Sequence, residues 1–516
     1  MSRGRLVVGC LLLLGWAGQP FQAAEPARPN VIVILADDLG IGDIRATNPA
    51  AKIPTPACDR LAREGLTFLD AHTTSAVCTP TRYGLLTGRY NWRSRLARGV
   101  LNGTSPPLIP PERPTLAHLL KAAGYQTAMI GKWHLGWNWT RDEAGEIDFA
   151  APVTGGPDAN GFDDFFAFSA SLDMPPYVWV ENGRPTAVPD RREGVTREED
   201  RYGWYRKGLI AADFQIPEIL PEIARRAVAH IRQQAATAEP FFLYLPLPAP
   251  HTPIVPQPPF RGQSGINPYA DFVIQVDHHI GEILDAIDEA GIAEETLVVV
   301  TSDNGCSPEA NFELLAEHGH DPSGGFRGHK ADIFEGGHRV TLLARWPTVI
   351  APGRTTAAVA CLTDLYPTLA AIAGQPAAAD EAGGEDGWSL LPVFEGADAT
   401  GRETLVSHSV DGSFAIRRGR WKLCLCGGSG GWSPPKEAQA RRQGLPPVQL
   451  YDLEADPAET TNLEAEHPEI VADLTARLAE EVRRGRSTPG PDLANDREVS
   501  FLPAGFEQPA EPSAAP

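Results

Sequence analysis

Four short apolar runs constrain what this chain can fold into, because each is rich in β-branched or aromatic residues and each is followed at once by a polar cluster. They are VIVIL (Val31–Leu35), TAMI (Thr127–Ile130), FFLYL (Phe241–Leu245) and LVVVT (Leu297–Thr301). Apolar runs of this length read as strands buried on both faces. Between them, amphipathic patterns over residues 115–123, 219–234 and 269–290 predict helices. Strand and helix in alternation predict an α/β fold: a large mixed, mostly parallel sheet sandwiched by helices. Ligands bind such sheets outside the carboxyl ends of the strands. The clusters that follow the runs, ADDLG, GKWHLG, PLPAPHTP and SDNG, are therefore expected to converge on one site.

At 516 residues the chain exceeds one ordinary domain. An Ala/Gly-rich, acidic stretch at residues 377–385 has the composition of an inter-domain loop. We expect a first domain over 25–380 and a smaller C-terminal α+β subdomain over 381–487. The latter holds TLVSH, a hairpin in FAIRRGRWKLCLC, the segment YDLEADPAETTNL and a helix over 468–484. The Pro-, Ala- and Glu-rich tail, 488–516, is expected to be disordered. At the other end, Arg3 and Arg5 precede an apolar run ending near Ala17, with small residues at Ala23 and Ala24. This reads as a signal peptide over 1–24, and hence a secreted or periplasmic protein. No stretch reaches the roughly 20 apolar residues of a membrane helix, so no stable membrane span is expected.

A formal net charge of -21 repels polyanions and excludes a general nucleic-acid partner. A small anionic substrate needs a locally basic pocket. The seven cysteines show no CxxC pair and no zinc spacing, so neither a disulfide scaffold nor a zinc site is expected. Cys424 and Cys426 read as packing residues.

Cys78 opens CTPTR, within VCTPTRYGLLTGR. A buried packing role is the common fate of such a residue, and a thiolate nucleophile would need a lowered pKa and an activating histidine. Neither accounts for its neighbours: Pro80 suits the first turn of a helix, and Thr81 and Arg82 add a hydroxyl and a fixed cation to that turn. Cys78 thus stands at a helix N-terminus, where anions bind.

C-T-P-T-R followed by Y-G-L-L-T-G-R resembles the signature of the formylglycine-dependent sulfatases of the alkaline phosphatase superfamily, with Thr81 where many members have Ser. Further segments are similar to the family's: NVIVILADDLG with Asp37 and Asp38, TSDNG with Asp303 and Asn304, GKWHLG with Lys132 and His134, PAPHTP with His251, RGHKADIFEGGHRV with Lys330, and YDLEADPAETTNL near the C-terminus. The resemblance implies an alkaline phosphatase/sulfatase-like fold and conversion of Cys78 to formylglycine by a formylglycine-generating or other sulfatase-maturing enzyme. It implies a metal held by Asp37, Asp38, Cys78, Asp303 and Asn304, and a gem-diol hydroxyl that attacks sulfur. Arg82 would hold that diol, and Lys132 and Lys330 would grip the sulfate. His251, with Lys330, would protonate the leaving alcohol, and His134 would deprotonate the second hydroxyl.

Charge counting supports a cation: unit charges about 4 Å apart cost on the order of 4 kcal/mol per pair at a dielectric near 20, and three acids meet here. Hard oxygen donors favour calcium or magnesium over zinc, and the resemblance implies calcium, one ion per chain, with magnesium as the alternative. A divalent ion with Arg82, Lys132 and Lys330 against three carboxylates makes a basic pocket suited to a sulfate ester. The expected activity is therefore that of a sulfuric ester hydrolase. The rivals are a phosphatase or phosphonate monoester hydrolase of the same superfamily, and a non-catalytic sulfoglycan-binding protein. The substrate is expected to be a sulfated small molecule or glycan, with Trp137, Trp139, Tyr177 and Trp179 suited either to stacking on sugar rings or to packing in the core and under loops. The segments 169–184, with Asp173, and 306–328, with His318 and His320, read equally as loops lining the substrate mouth and as ordinary surface loops.

Overall fold

The computed structural model describes residue 1 and residues 28–375 and 383–506. The expected signal peptide, the boundary at 380 and the last ten residues of the tail lie outside the described residues. Strand Asn30–Asp37 lies inside a ten-stranded mixed sheet. It runs parallel to Phe241–Pro250 on one side and to Thr296–Ser302 on the other. Gln126–Lys132 and then Asp164–Phe168 continue the parallel order beyond Phe241–Pro250. Beyond Thr296–Ser302 the direction reverses with Leu342–Arg345. A parallel strand between two others buries both faces, which is why VIVIL and LVVVT carry no polar residue before their last position.

Helices Pro56–Glu64, Ile219–Gln234 and Pro268–Glu289 form one packed group, and Cys78–Thr87, Leu116–Ala122 and Leu365–Ile372 another. Their ends follow local chemistry. Asn267 caps the Pro268 helix, its Oδ1 accepting the Ala270 N–H at 2.9 Å, and proline takes the first helical position. Gly88, at φ 62°, closes the Cys78 helix in the left-handed region.

The C-terminal unit is an antiparallel sheet of Leu405–His408, Phe414–Arg418, Trp421–Cys424 and Gln449–Asp452, with helix Pro468–Arg484 packed on it. Its apolar core includes Tyr90 and Trp92 of the first domain, so one cluster spans both units. The tail departs from expectation. Instead of becoming disordered at 488, the chain returns to the large domain: the Asp496 carboxylate lies 3.0 Å from Arg89, and its N–H donates to the Arg93 carbonyl at 2.8 Å. Buried arginines supply partners that composition does not reveal. Among the described residues, no helix is long and apolar enough to cross a membrane.

Candidate active site

Parallel register pairs Ala36 with Ser302, so Asp37 and Asp38 leave the sheet beside Asp303 and Asn304. Asp38 turns at φ 66°, a conformation Asp tolerates better than most residues. Its N–H donates to Asp303 Oδ1 at 3.3 Å. Lys132 ends its strand, and His134 follows at φ 57°. His251 follows the end of Phe241–Pro250. Cys78 is the first residue of its helix, with Sγ 3.6 Å from Asp37 Oδ1. Ligand atoms of Asp37, Asp38, Cys78 and His251 all lie within 4.8 Å of one another. Nine of the ten residues singled out from the sequence thus stand at the carboxyl ends of four adjacent strands or in the first turns of one helix, and Lys330 reaches them from the segment before Glu335–His338.

The acids are matched by buried cations. Lys132 Nζ lies 2.5 Å from Asp37 Oδ2, and Lys330 Nζ lies 2.7 Å from Asp38. Arg82, one turn after Cys78 and fully buried, donates Nε and Nη2 to Asp303 Oδ2 (3.1 and 2.7 Å) and Nη1 to the Lys132 carbonyl (2.9 Å). It therefore fixes Asp303 and the end of the Lys132 strand. Burial alone would raise Asp37, but Lys132 leads a set of cations that hold it well below the usual carboxylate range. Burial, reinforced by the charge of Asp37, pushes Asp303 up to about 6. Burial also pushes the Cys78 thiol up to about 12 against the pull of Lys132 and Lys330, so the unmodified side chain is no thiolate nucleophile.

The donor set fits a hard cation. Three carboxylates are joined by Asn304, whose Nδ2 donates to Asp38 Oδ1 (2.7 Å) and to the Gly305 carbonyl (2.9 Å), while its buried Oδ1 has no hydrogen-bond partner. A buried acceptor without a donor beside three acids suits an oxygen-liganded metal.

The histidines differ. His134 is fully buried; Nε2 donates to the Leu101 carbonyl at 2.9 Å, which leaves Nδ1 as an acceptor without a partner. Burial, then the charges of Lys132 and Arg82, hold it well below the ordinary histidine range, so it is neutral at pH 7. In His251, Nδ1 donates to the Thr252 carbonyl at 2.6 Å, and Nε2 lies 3.7 Å from Asp38 Oδ2. Its place beside the acids matches the expected convergence of the clusters that follow the strands, although PAPHTP carries no ligand spacing of its own.

The expected mouth is corrected. Trp137, Trp139, Tyr177 and Trp179 are buried, packed edge-on or stacked against one another, Phe149, Phe166 and Phe214. Asp173 is buried and pairs with Arg206. His320 is buried too, with Nε2 2.8 Å from Asp43 Oδ1. Asp43 also accepts the Gly40 N–H at 2.8 Å, so this pair braces the turn after Asp38. His318 is exposed and bonds the Leu314 carbonyl at 2.9 Å.

Comparisons with known proteins agree with this geometry. The Sulfatase family model matches residues 29–375. The N-acetylgalactosamine-6-O-sulfatase of Bacteroides thetaiotaomicron is 34% identical over 492 residues, 87% of this chain and 92% of that protein. Arylsulfatase A of Homo sapiens is 34% identical over 456 residues, 84% of this chain and 83% of its own length. A solved Bacteroides thetaiotaomicron structure, described with the metabolism of multiple glycosaminoglycans, aligns at TM-score 0.76 and 34% identity, covering 88% of this chain and 99% of that one.

Proposed function

The chain belongs to the sulfatase family and is a sulfuric ester hydrolase, and from that membership we propose a secreted or periplasmic carbohydrate sulfatase that works through formylglycine at Cys78 and one calcium ion. The observation that carries the reading is the meeting of Cys78 with Asp37, Asp38 and His251 within 4.8 Å, at a helix N-terminus flanked by Lys132 and Lys330. Support for a sugar substrate comes from the relative named an N-acetylgalactosamine-6-O-sulfatase. The Arg3 to Ala24 pattern supports export.

Asp37, Asp38, Asp303 and Asn304 would hold the ion, with the modified Cys78 as a further ligand. Matured Cys78 supplies a hydrated aldehyde as nucleophile, and the ion supplies Lewis acidity that favours its ionised form. An ammonium carries three donors, so Lys132 and Lys330 can each hold an acid and a sulfate oxygen at once. Their charge meets the negative charge that builds on sulfate in the transition state. His251 keeps Nδ1 on a carbonyl, which leaves Nε2 to carry a proton to the departing alcohol oxygen. His134 offers the unpartnered Nδ1 lone pair of a neutral ring and would take the proton whose loss releases sulfate.

The test is a screen of matured protein against saccharides sulfated at defined hydroxyls, with an aryl sulfate and an aryl phosphate alongside. We expect sulfate release from a 6-O-sulfated N-acetylgalactosamine saccharide, and an intact mass that records conversion of the Cys78 thiol to an aldehyde. Rapid phosphate release with no sulfate release, or full activity with the thiol unconverted, overturns the reading.

A further inference from the structure

With the expected sugar-facing aromatics buried, one aromatic outside that set stands at the surface: Trp432 is 42% exposed, among few large apolar side chains that are. It lies in the C-terminal unit, in a loop closed on itself. The Ser429 N–H donates to the Pro435 carbonyl at 2.9 Å, and Ser429 Oγ donates to the Ser433 carbonyl at 2.6 Å. The loop is fastened to the segment that carries Lys330. Asp332 Oδ1 accepts the backbone N–H groups of Trp432 (2.8 Å) and Ser433 (3.0 Å), and Ser433 Oγ lies 2.9 Å from His329 Nε2. Gly431 permits the approach, since a Cβ there would come within 2.4 Å of the Ala331 carbonyl oxygen. Ala331 in turn donates its N–H to the Ala76 carbonyl at 2.7 Å, two residues before Cys78. A short chain of contacts therefore ties Trp432 to both Lys330 and Cys78.

We propose that Trp432 is a stacking platform for a pyranose ring of the substrate, a specificity residue supplied to the active site by the C-terminal unit. The inference rests on the carbohydrate reading above. A loop pinned by Asp332 holds its exposed indole in place, so little entropy is given up when a ligand covers it. An indole offers a flat apolar face and one N–H donor, which matches the C–H face and hydroxyl edge of a sugar. It is uncharged, so it adds affinity for the sugar without competing with Lys132 and Lys330 for the sulfate.

The test compares parent, Trp432→Ala and Trp432→Phe, all matured, on a 6-O-sulfated N-acetylgalactosamine-containing disaccharide. We expect KM to rise about tenfold in Trp432→Ala with kcat within about twofold, and Trp432→Phe to recover most of the affinity because a ring replaces a ring. The same disaccharide titrated onto Cys78→Ala protein should bind about tenfold more weakly when Trp432→Ala is added. An unchanged KM, or a loss confined to kcat, overturns the proposal while the parent still cleaves the saccharide. A parent that cleaves only aryl sulfate sinks the carbohydrate reading, and this inference with it.

Discussion

At the scale of single residues, the site works by giving chemically similar groups unlike surroundings. His134 and His251 both follow strands of one sheet, yet the first is sealed with Nδ1 unpartnered and the second keeps Nε2 near Asp38. Desolvation, with the charges of Lys132 and Arg82, holds His134 well below the ordinary histidine range, so near neutral pH its free Nδ1 can accept a proton. His134→Gln retains an amide donor for the Leu101 carbonyl but no base of matching strength. We expect kcat to fall by about 10²–10⁴ with KM nearly unchanged, which steady-state kinetics on the cleaved saccharide will measure. A change confined to KM would assign His134 to binding. The residue types of the site were legible because acids, lysines and histidines follow apolar runs. Their pairings were not: that Lys132 takes Asp37 and Lys330 takes Asp38 depends on contacts across 95 and 292 positions.

Among the elements, helix Pro468–Arg484 was legible to the residue, since Pro468 opens it and Gly485, at φ 67°, ends it. What could not be read from its pattern is Glu481. An acid on an amphipathic helix reads as solvent-facing, yet this one is buried under the returning tail and bonded to the Thr404 hydroxyl, with Oε2 unpartnered. Burial, offset only in part by that hydroxyl, pushes Glu481 up to about 7 from an ordinary 4.5. The folded chain therefore holds a proton that the unfolded chain releases. The contribution is complete below about 4.5 and is lost as pH rises through about 7. Glu481→Gln cannot ionise, so it should be more stable than the parent at pH 8, by on the order of 1–3 kcal/mol, with the gap closing near pH 5. Urea denaturation at both pH values measures this, and a gap independent of pH would rule out the titration. The same limit explains the aromatics: residue type makes Trp137, Trp139, Tyr177 and Trp179 suited to a sugar, but their place in the buried core of the large domain depends on contacts that local pattern does not show.

Across the whole molecule, two units are locked by charges that neither could bury alone. Lys422, on the C-terminal sheet, is buried with Nζ 3.0 Å from Glu335 Oε1, 2.8 Å from Glu459 and 3.0 Å from His338 Nε2. Glu459 also accepts the Glu335 N–H at 2.6 Å. Nearby, Arg417 of the same sheet makes a two-pronged contact with Asp70 of the first domain, at 2.9 and 2.8 Å. Chain length and the acidic Ala/Gly stretch at 377–385 suggest two units, but local pattern carries no trace of a lysine that one unit contributes to the acids around it. Glu335 stands five residues after Lys330, so the lock also fixes the approach of that segment to Cys78. Removing one partner of a buried charge group strands the others: Lys422→Met leaves Glu459 facing Glu335 without the ammonium between them, with Arg339 still paired to Glu335. We expect it to lower unfolding free energy by about 3–5 kcal/mol. Adding Glu459→Gln should restore part of the loss, because the stranded charge, rather than the missing contacts, makes up most of the cost. Urea denaturation of the single and double variants decides it: losses that simply add would mean that Lys422 and Glu459 act independently, and that the units are held by their shared apolar cluster around Tyr90 and Trp92 rather than by this charge lock.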